Sequence, residues 1–303
     1  MSRFATERLS GGLRTISETA MPSCSMAVLL LLVHSLATAT AAAPRSVVVV
    51  GGSSGMGKAA AKAVVARGGR VLLASKSAEK LKLAREEILH ETPNADETRV
   101  QCVELDARDE GCVAAFVQAH LKPGDWDGLV VSAAGAAPHG SIAELSVETT
   151  AELFQSKFWT AYHCCKHVAP VLADGGAIAL VAGVLNRRPG INCVPLATVN
   201  GALEGLTRSL ALEFGPRLRV NCLSPGFCDT ERFDRMEPGK KAAMLANTAQ
   251  SLPLQRVGSP SDMGEALDFL LTSRFTTGVV LDCDGGHLIR QYASAATDPM
   301  RKK

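Results

Sequence analysis

Short apolar runs alternate along the chain with longer segments of helical periodicity. Continuous runs rich in β-branched residues, such as SVVVV at 46–50, predict strands that are buried on both faces. Apolar positions spaced three and four residues apart predict helices between those strands. The predicted strands lie at 46–50, 70–75, 99–106, within 127–135, and at 177–183, 218–226 and 279–286. The predicted helices lie at 57–67, 77–90, 148–172, 197–214 and 262–272.

This alternation predicts the fold class: an α/β protein with a doubly wound, Rossmann-like parallel sheet that has helices on both faces. No internal repeat and no linker interrupts the pattern between 46 and 286. We therefore predict a single domain over residues 44–292, followed by a short tail at 293–303.

The first 43 residues have a different character. An apolar run at 27–36 (AVLLLLVHSL) precedes the small-residue stretch ATATAAAP, which resembles a signal peptide more than a membrane span. Arginines among serines and threonines upstream equally suit an organellar transit peptide. We interpret residues 1–43 as a targeting or disordered segment, with organellar or secretory routes both open and a cytoplasmic location otherwise. No stable membrane span is expected in the mature chain.

Composition excludes several classes. The chain has 32 basic and 30 acidic residues and only 4% aromatic residues, so neither a basic surface nor a base-stacking surface is expected, and no nucleic-acid partner is predicted. Nine cysteines without paired spacing predict reduced thiols, with neither a disulfide framework nor a metal site.

A glycine-rich turn joins the first predicted strand to the first predicted helix. Gly51, Gly55 and Gly57 follow the spacing Gly-x3-Gly-x-Gly. In a dinucleotide site the first glycine permits a tight turn, the second lets the backbone approach a diphosphate, and the third lets helix and strand pack closely. The N–H groups at the helix N-terminus add a positive dipole end. This turn therefore predicts a dinucleotide-binding site.

The glycine spacing, with four further segments in the same order, resembles the short-chain dehydrogenase/reductase family over residues 46–290. Val50 replaces the threonine of that family's TGxxxGxG loop, and Ser132 to Gly135 stand in place of its NNAG. The segments 252–271 and 278–286 carry the most specific matches. The resemblance implies an oxidoreductase that transfers hydride between a nicotinamide cofactor and a small carbonyl or alcohol, and a homo-oligomer formed through the helices near 148–172 and 197–214.

The resemblance also implies a set of cofactor contacts at the ends of the strands. Asp106 matches an acid that bonds adenine, and the segment from Asn221 to Thr230 matches the one that holds the nicotinamide amide. The predicted cofactor-binding residues are Gly51, Ser53, Ser54, Gly55, Met56, Gly57, Ser75, Lys76, Asp106, Ala107, Ala133, Ala134, Gly135, Pro225, Gly226 and Thr230.

The end of the second strand bears on which nicotinamide cofactor binds. An acid there would bond the ribose 2′-hydroxyl of NAD(H) and repel a 2′-phosphate. This chain has Ser75 and Lys76, which leave room for a phosphate and offer it an ammonium group. The pair favours NADP(H) over NAD(H), although a lysine that opens a helix also fits Lys76.

The family's catalytic side chains are missing at the matching positions. Aligning 195–214 with the family's YxxxK helix places Leu196 at the tyrosine and Asn200 at the lysine; Gly183 falls at the serine. Lys157 falls at the asparagine of the preceding helix. Losing a positioned acid lowers a rate by roughly 10²–10⁴. The resemblance therefore implies either a non-standard active site or an inactive NADP(H)-binding sensor or partner protein. A third alternative is a structural subunit that has lost the cofactor too, against which the intact glycines at 51, 55 and 57 argue.

Two of the changes suggest an exchange. The family has asparagine on the earlier helix and lysine on the later one, whereas this chain has Lys157 on the earlier and Asn200 on the later. We predict that Lys157 reaches Asn200 or the ribose from the opposite side; two independent losses are the alternative. Ser132, at the end of the fourth strand, is a third catalytic candidate. Arg187, after the fifth strand, is a candidate for binding an anionic ligand.

A literal YxxxK also occurs, from Tyr162 to Lys166. It precedes the fifth predicted strand, so chain order places it away from the nicotinamide. We interpret it as an outward or subunit-facing helix surface. The substrate is not identified by any motif.

Overall fold

The computed structural model describes residues 45–93 and 95–289. The predicted targeting segment 1–43 and the tail 293–303 lie outside these ranges, so both stay predictions. The described residues form a single domain.

Seven parallel strands form one sheet in the order β3-β2-β1-β4-β5-β6-β7. The predicted doubly wound, Rossmann-like class is thereby confirmed. The strands are β1 Ser46–Val50, β2 Arg70–Ser75, β3 Val100–Glu104, β4 Gly128–Val131, β5 Gly176–Val181, β6 Leu218–Pro225 and β7 Val280–Cys283.

Helices cover both faces of the sheet. They are α1 Gly55–Ala66, α2 Ala78–Glu91, α3 Glu110–His120, α4 Val147–Phe154, α5 Thr160–Val168, α6 Val194–Phe214, α7 Pro238–Ser251 and α8 Pro260–Thr272. A π-helical turn, Gln155–Trp159, joins α4 to α5.

The alternation of side chains along each strand divides the core into two. Val48 of β1 packs in a cluster with Phe116 of α3 and Leu203 of α6. Its neighbour Val49 packs on the other face with Val64 of α1 and residues of α2 and α8. Because both faces of these central strands are covered, the strands read as continuous apolar runs in the sequence.

Two helices and the π-helical turn were not predicted. Helix α3 begins after Asp109, whose side chain caps the helix by accepting from the Cys112 amide. An aspartate at this position is a signal in the sequence for the start of a helix. Helix α7 has no buried residue, so its sequence carries no apolar stripe. The π-helical turn adds a residue within the predicted helix 148–172, and Lys157 lies at its centre.

The chain reverses its direction across the sheet between β1 and β4, which lie side by side. Val50 pairs with Val131, and the Ser132 amide donates to the Val50 carbonyl at 2.9 Å. In open α/β sheets the crevice beyond the strand ends at such a switch point binds the ligand. Gly51 and Ser132 both lie at this crevice.

Some large apolar side chains face outward on the helices that the resemblance assigns to subunit contact. Trp159, just before α5, and Tyr162, within α5, are each 41% exposed, and Leu212 on α6 is 86% exposed. The homo-oligomer stays a prediction.

Among the described helices, none combines the length and the apolar character that crossing a membrane requires.

Candidate functional site

The glycine-rich turn has the close packing that its spacing predicts. Gly51 has φ of +86°, and a β-carbon on it would lie 2.5 Å from the Ala133 nitrogen. A β-carbon on Gly57 would overlap the Gly51 carbonyl and the Ser132 hydroxyl. Side chains at these two positions would separate β1, β4 and α1, so the turn requires glycine here.

The N-terminus of α1 is arranged to receive an anion. Ser54 occupies the N-cap without a side-chain cap bond, and the first turn has no acidic residue of its own. Instead, the Gly55 amide donates to Glu231 Oε2 at 2.8 Å, and Lys58 Nζ lies 2.8 Å from Glu231 Oε1. A carboxylate thus stands where a diphosphate would bind, which supports the fit of a dinucleotide to this turn. Sequence reasoning missed Glu231, because only the fold brings it to residue 55.

Basic residues surround the predicted adenosine end. Lys76, which follows β2, has its ammonium 3.3 Å from Asp106 Oδ1. Arg108 donates to both oxygens of that carboxylate, and these hydrogen bonds hold the pKa of Asp106 well below its usual range. Asp106 is therefore ionised and already paired, while Lys76 is half-exposed beside Ser75, where the 2′-phosphate is predicted.

The remaining predicted contacts come together at the same end of the sheet. Ala133 follows β4, and the Gly226 amide, after β6, donates to Cys283 of β7 at 3.0 Å. The Thr230 methyl group lies 3.6 Å from the β-carbon position of Gly55. The segment predicted to hold the nicotinamide thus reaches the glycine-rich turn.

Lys157 and Asn200 form a buried pair. Lys157 Nζ donates to Asn200 Oδ1 at 2.6 Å and to the Ala182 carbonyl at 2.8 Å, and the two side chains are 8% and 1% exposed. The structure therefore contains the Lys157–Asn200 hydrogen bond that the exchange hypothesis predicts. The π-helical turn sets the position of Lys157, and turns of this kind recur at functional sites.

Gly183 belongs to the same cluster. A β-carbon on Gly183 would lie 2.9 Å from Asn200 Nδ2, and φ is +153°. The space that a serine would need at this position is therefore taken by the amide of Asn200. Three of the four family positions, 157, 183 and 200, are thus occupied by residues that fit one another.

The other candidates lie elsewhere or have partners. Leu196 is one turn before Asn200 on α6 and offers no proton. The Ser132 hydroxyl donates to the Gly51 carbonyl at 3.3 Å, so it braces the turn and is not joined to Lys157. Arg187 pairs with Asp282 and Glu204, so its guanidinium is engaged within the protein.

Tyr162 and Lys166 of the YxxxK segment face outward, as the interpretation of that segment predicts, while the three residues between them are buried. Lys166 pairs with Glu110 of α3 at 2.6 Å, and its side chain is 54% exposed. Lys166 therefore provides an exposed counterpart to the buried Lys157.

Stability should depend on pH through Lys157. Burial lowers the pKa of Lys157 to about 8, whereas a lysine in the unfolded chain titrates near 10.5. Between these two pKa values the unfolded chain binds more protons at this lysine than the folded chain does. The free energy of unfolding therefore increases as pH rises through this range, by about 3 kcal/mol in total. As pH falls from about 10.5 toward 8 this contribution is lost, and below about 8 it is absent. The positive charge of Arg232 adds to the lowering, and a coulombic interaction with Cys222 opposes it.

Urea unfolding of wild type and Lys157→Met at about pH 7.5 and about pH 9.5 measures this effect, because the two values lie below and above the pKa of Lys157 in the folded protein. The wild type should gain stability relative to the variant at the higher pH. Lys166→Met, which removes an exposed ammonium, should show no such gain. An identical difference between wild type and Lys157→Met at both pH values would contradict the buried ammonium.

Comparisons with known proteins cover nearly all of the described domain. Residues 50–287 match a family model described as enoyl-(acyl carrier protein) reductase. The chain is 32% identical to the short-chain dehydrogenase/reductase ATR9 of Stachybotrys chlorohalonatus over 81% of this chain and 98% of that one. Among solved structures, it is 32% identical to a small-chain dehydrogenase in complex with NADPH, with a TM-score of 0.66 and coverage of 80% and 98%. An NADPH-bound short-chain oxidoreductase from Pseudomonas aeruginosa PAO1, described as containing an atypical catalytic center, is 30% identical with a TM-score of 0.73 and coverage of 80% and 96%.

Proposed function

Because the chain belongs to the short-chain dehydrogenase/reductase family, we propose that it is an NADP(H)-dependent oxidoreductase with a non-standard active site. The bound cofactor would supply hydride exchange with a small carbonyl or alcohol. The observation that carries the proposal is the buried hydrogen bond between Lys157 and Asn200, which rebuilds a lysine–amide pair from exchanged positions.

Groups suited to each part of the cofactor lie along its predicted path, with the Glu231 carboxylate at the place of the diphosphate. The glycine-rich turn and the α1 N-terminus would hold the diphosphate, since they already hold a carboxylate. Ser75 and Lys76 would hold the 2′-phosphate, and the segment ending at Thr230 would hold the nicotinamide amide. Two structural relatives of comparable identity are NADPH complexes, which supports NADP(H) for this chain.

Lys157 would provide the positive charge that this family's reaction needs beside the reacting carbonyl. An ammonium group has three N–H donors, and two of them go to Ala182 and Asn200. Within the described residues the third N–H has no acceptor given to it, and it would donate to an oxygen of substrate or ribose. A buried ammonium whose pKa lies near 8 can also lend a proton at neutral pH. One solved relative carries the description of an atypical catalytic center, so a departure at this site has a parallel.

One observation favours a second function. Leu196 provides no proton where the family has tyrosine, and Gly183 leaves no room for the serine hydroxyl. A protein that binds NADP(H) without hydride transfer, as a sensor or partner, would have these same features. Oxidation of bound NADPH by carbonyl compounds separates the two functions.

Cofactor preference is tested at Lys76. We expect the full chain to bind NADPH more tightly than NADH, and Lys76→Ala to weaken NADPH about tenfold by removing one charge-assisted contact. Nicotinamide fluorescence titrations measure both dissociation constants.

Two comparisons make the Lys76 result specific. NADH binding should not change in Lys76→Ala, because NADH lacks the 2′-phosphate. Lys82→Ala, which removes an exposed lysine of α2 that lies 3.9 Å from Glu86, should leave both constants unchanged. Equal losses for NADPH and NADH in Lys76→Ala would contradict the role of Lys76. Failure of the wild type to bind either cofactor would contradict the proposed function itself.

A further inference from the structure

The segment after β6 reaches the donors of the glycine-rich turn through the carboxylate of Glu231. Its base is fixed, because Cys228 forms a parallel bridge with Gly258 and the Asp229 amide donates to the Gly258 carbonyl at 2.9 Å. Beyond this bridge the chain forms a short 3₁₀ turn, Glu231–Phe233. The Phe233 ring stacks on Phe227, with 5.2 Å between their centroids. The stack and the bridge hold Glu231 over the N-terminus of α1.

Glu231 uses the same donors that a diphosphate would use. Its two carboxylate oxygens lie 2.8 Å from the Gly55 amide nitrogen and 2.8 Å from Lys58 Nζ. The Gly55 amide has one hydrogen, so it cannot donate fully to Glu231 and to a phosphate oxygen together. Two anions this close also repel each other.

We propose that Glu231 is a built-in competitor of the cofactor diphosphate, so that cofactor binding moves the turn Glu231–Phe233 away from Gly55. The inference rests on the proposed NADP(H) function and adds a means of regulating that site. Because this turn leads into α7, cofactor occupancy sets the position of the segment between Thr230 and α7. That segment borders the crevice where a substrate would meet the nicotinamide.

Lys58 keeps an ion-pair partner after the Glu231 carboxylate leaves. Its ammonium also lies 2.6 Å from Glu87 Oε2 on α2, so it keeps one partner. Burial lowers the pKa of Lys58, but the hydrogen bonds to Glu231 and Glu87 outweigh it and the pKa is raised. When Glu231 leaves, Glu87 keeps its hydrogen bond to Lys58, and that bond continues to raise the pKa of the ammonium.

The test measures NADPH affinity of the full chain by nicotinamide fluorescence in wild type, Glu231→Gln and Glu231→Ala. Both variants remove the competing charge, and Glu231 is 40% exposed, so neither change disturbs the core. We expect NADPH to bind about tenfold more tightly to both variants, equivalent to about 1.4 kcal/mol.

Two controls confine the effect to the diphosphate. Glu87→Gln removes the other carboxylate from Lys58 without touching Gly55, so its NADPH affinity should stay near that of wild type. Adenosine 2′-monophosphate has no diphosphate, so it should bind wild type and Glu231→Gln equally. Equal tightening in Glu87→Gln, or for adenosine 2′-monophosphate, would overturn the inference in favour of a general charge effect.

The remaining outcomes separate the inference from the function on which it rests. If wild type binds NADPH and the Glu231 variants bind it no more tightly, Glu231 is not a competitor but the cofactor function stands. If neither wild type nor variants bind NADPH, both fall. Movement of the turn Glu231–Phe233 is measured separately, by hydrogen exchange. The Phe233 amide donates to the Thr230 carbonyl at 3.0 Å, and the exchange rate of this amide should change when NADPH is added. Unchanged exchange with NADPH bound would overturn the coupling.

Discussion

Replacing Asn200 by lysine should destabilise the protein by about 3–5 kcal/mol, because it places a second ammonium beside a buried one. Asn200 Oδ1 accepts from Lys157 Nζ at 2.6 Å, and both side chains are almost completely buried. The reverse single change, Lys157→Asn, leaves the buried Asn200 acceptor without its ammonium donor and should cost about 1–3 kcal/mol. Urea unfolding of both variants measures these differences.

The double variant decides whether the two positions were exchanged. Lys157→Asn together with Asn200→Lys restores one lysine and one amide in the opposite arrangement. We expect it to be at least about 2 kcal/mol more stable than the sum of the single effects predicts. Strict additivity would mean that the two residues are independent losses in a decayed site. Because NADPH affinity is measured on the same four proteins, the cycle also shows whether the ammonium can serve from either helix.

Restoring the family's serine at Gly183 should be harmful when made alone. The backbone there has φ of +153°, and a new β-carbon would lie 2.9 Å from Asn200 Nδ2, which Lys157 holds in place. Strained backbone and a displaced buried amide together should destabilise Gly183→Ser by about 2–4 kcal/mol. Thermal unfolding at fixed pH detects a loss of this size.

Gly205 provides the matched control for this prediction. It lies within α6, and a β-carbon on it would meet no atom within 4 Å. Gly205→Ser should therefore be neutral or stabilising by a few tenths of a kcal/mol, since serine forms helix better than glycine. In the Asn200→Ala background, Gly183→Ser should cost less stability than it does in the wild type, because the clash with the amide is absent. A neutral Gly183→Ser would contradict the fit among residues 157, 183 and 200.

The sheet could be predicted from sequence because its central strands are buried on both faces. A run of β-branched residues such as VVVV favours a strand that is buried on both faces, and the structure has β1 at the predicted residues. The surface helix α7 could not be predicted in this way, since nothing along it is buried. The π-helical turn at Gln155–Trp159 was also beyond reach, because a single extra residue in a turn leaves the helical period nearly unchanged.

The features of the candidate site that follow from the order of elements along the chain could be predicted from the sequence. The features that depend on contacts between distant residues could not. The glycine-rich turn lies between β1 and α1 in the sequence as in the structure, and Lys157 with Asn200 was found by matching positions on two helices. Glu231 is 176 residues from Gly55 along the chain, so no local pattern connects them. The link between Gly183 and Asn200 likewise needs the backbone angle and the distance that only the fold provides.

NADPH oxidation by a panel of aldehydes, ketones and 3-oxoacyl thioesters tests the central claim most directly, with wild type and Lys157→Met compared at pH 7, about one unit below the pKa of the buried ammonium. Titration of bound NADPH in both proteins separates chemistry from binding. The account predicts that wild type oxidises NADPH with at least one class of carbonyl and that Lys157→Met loses this activity while still binding the cofactor. Equal rates in the two proteins, or NADPH that binds wild type and stays reduced across the whole panel, would contradict it.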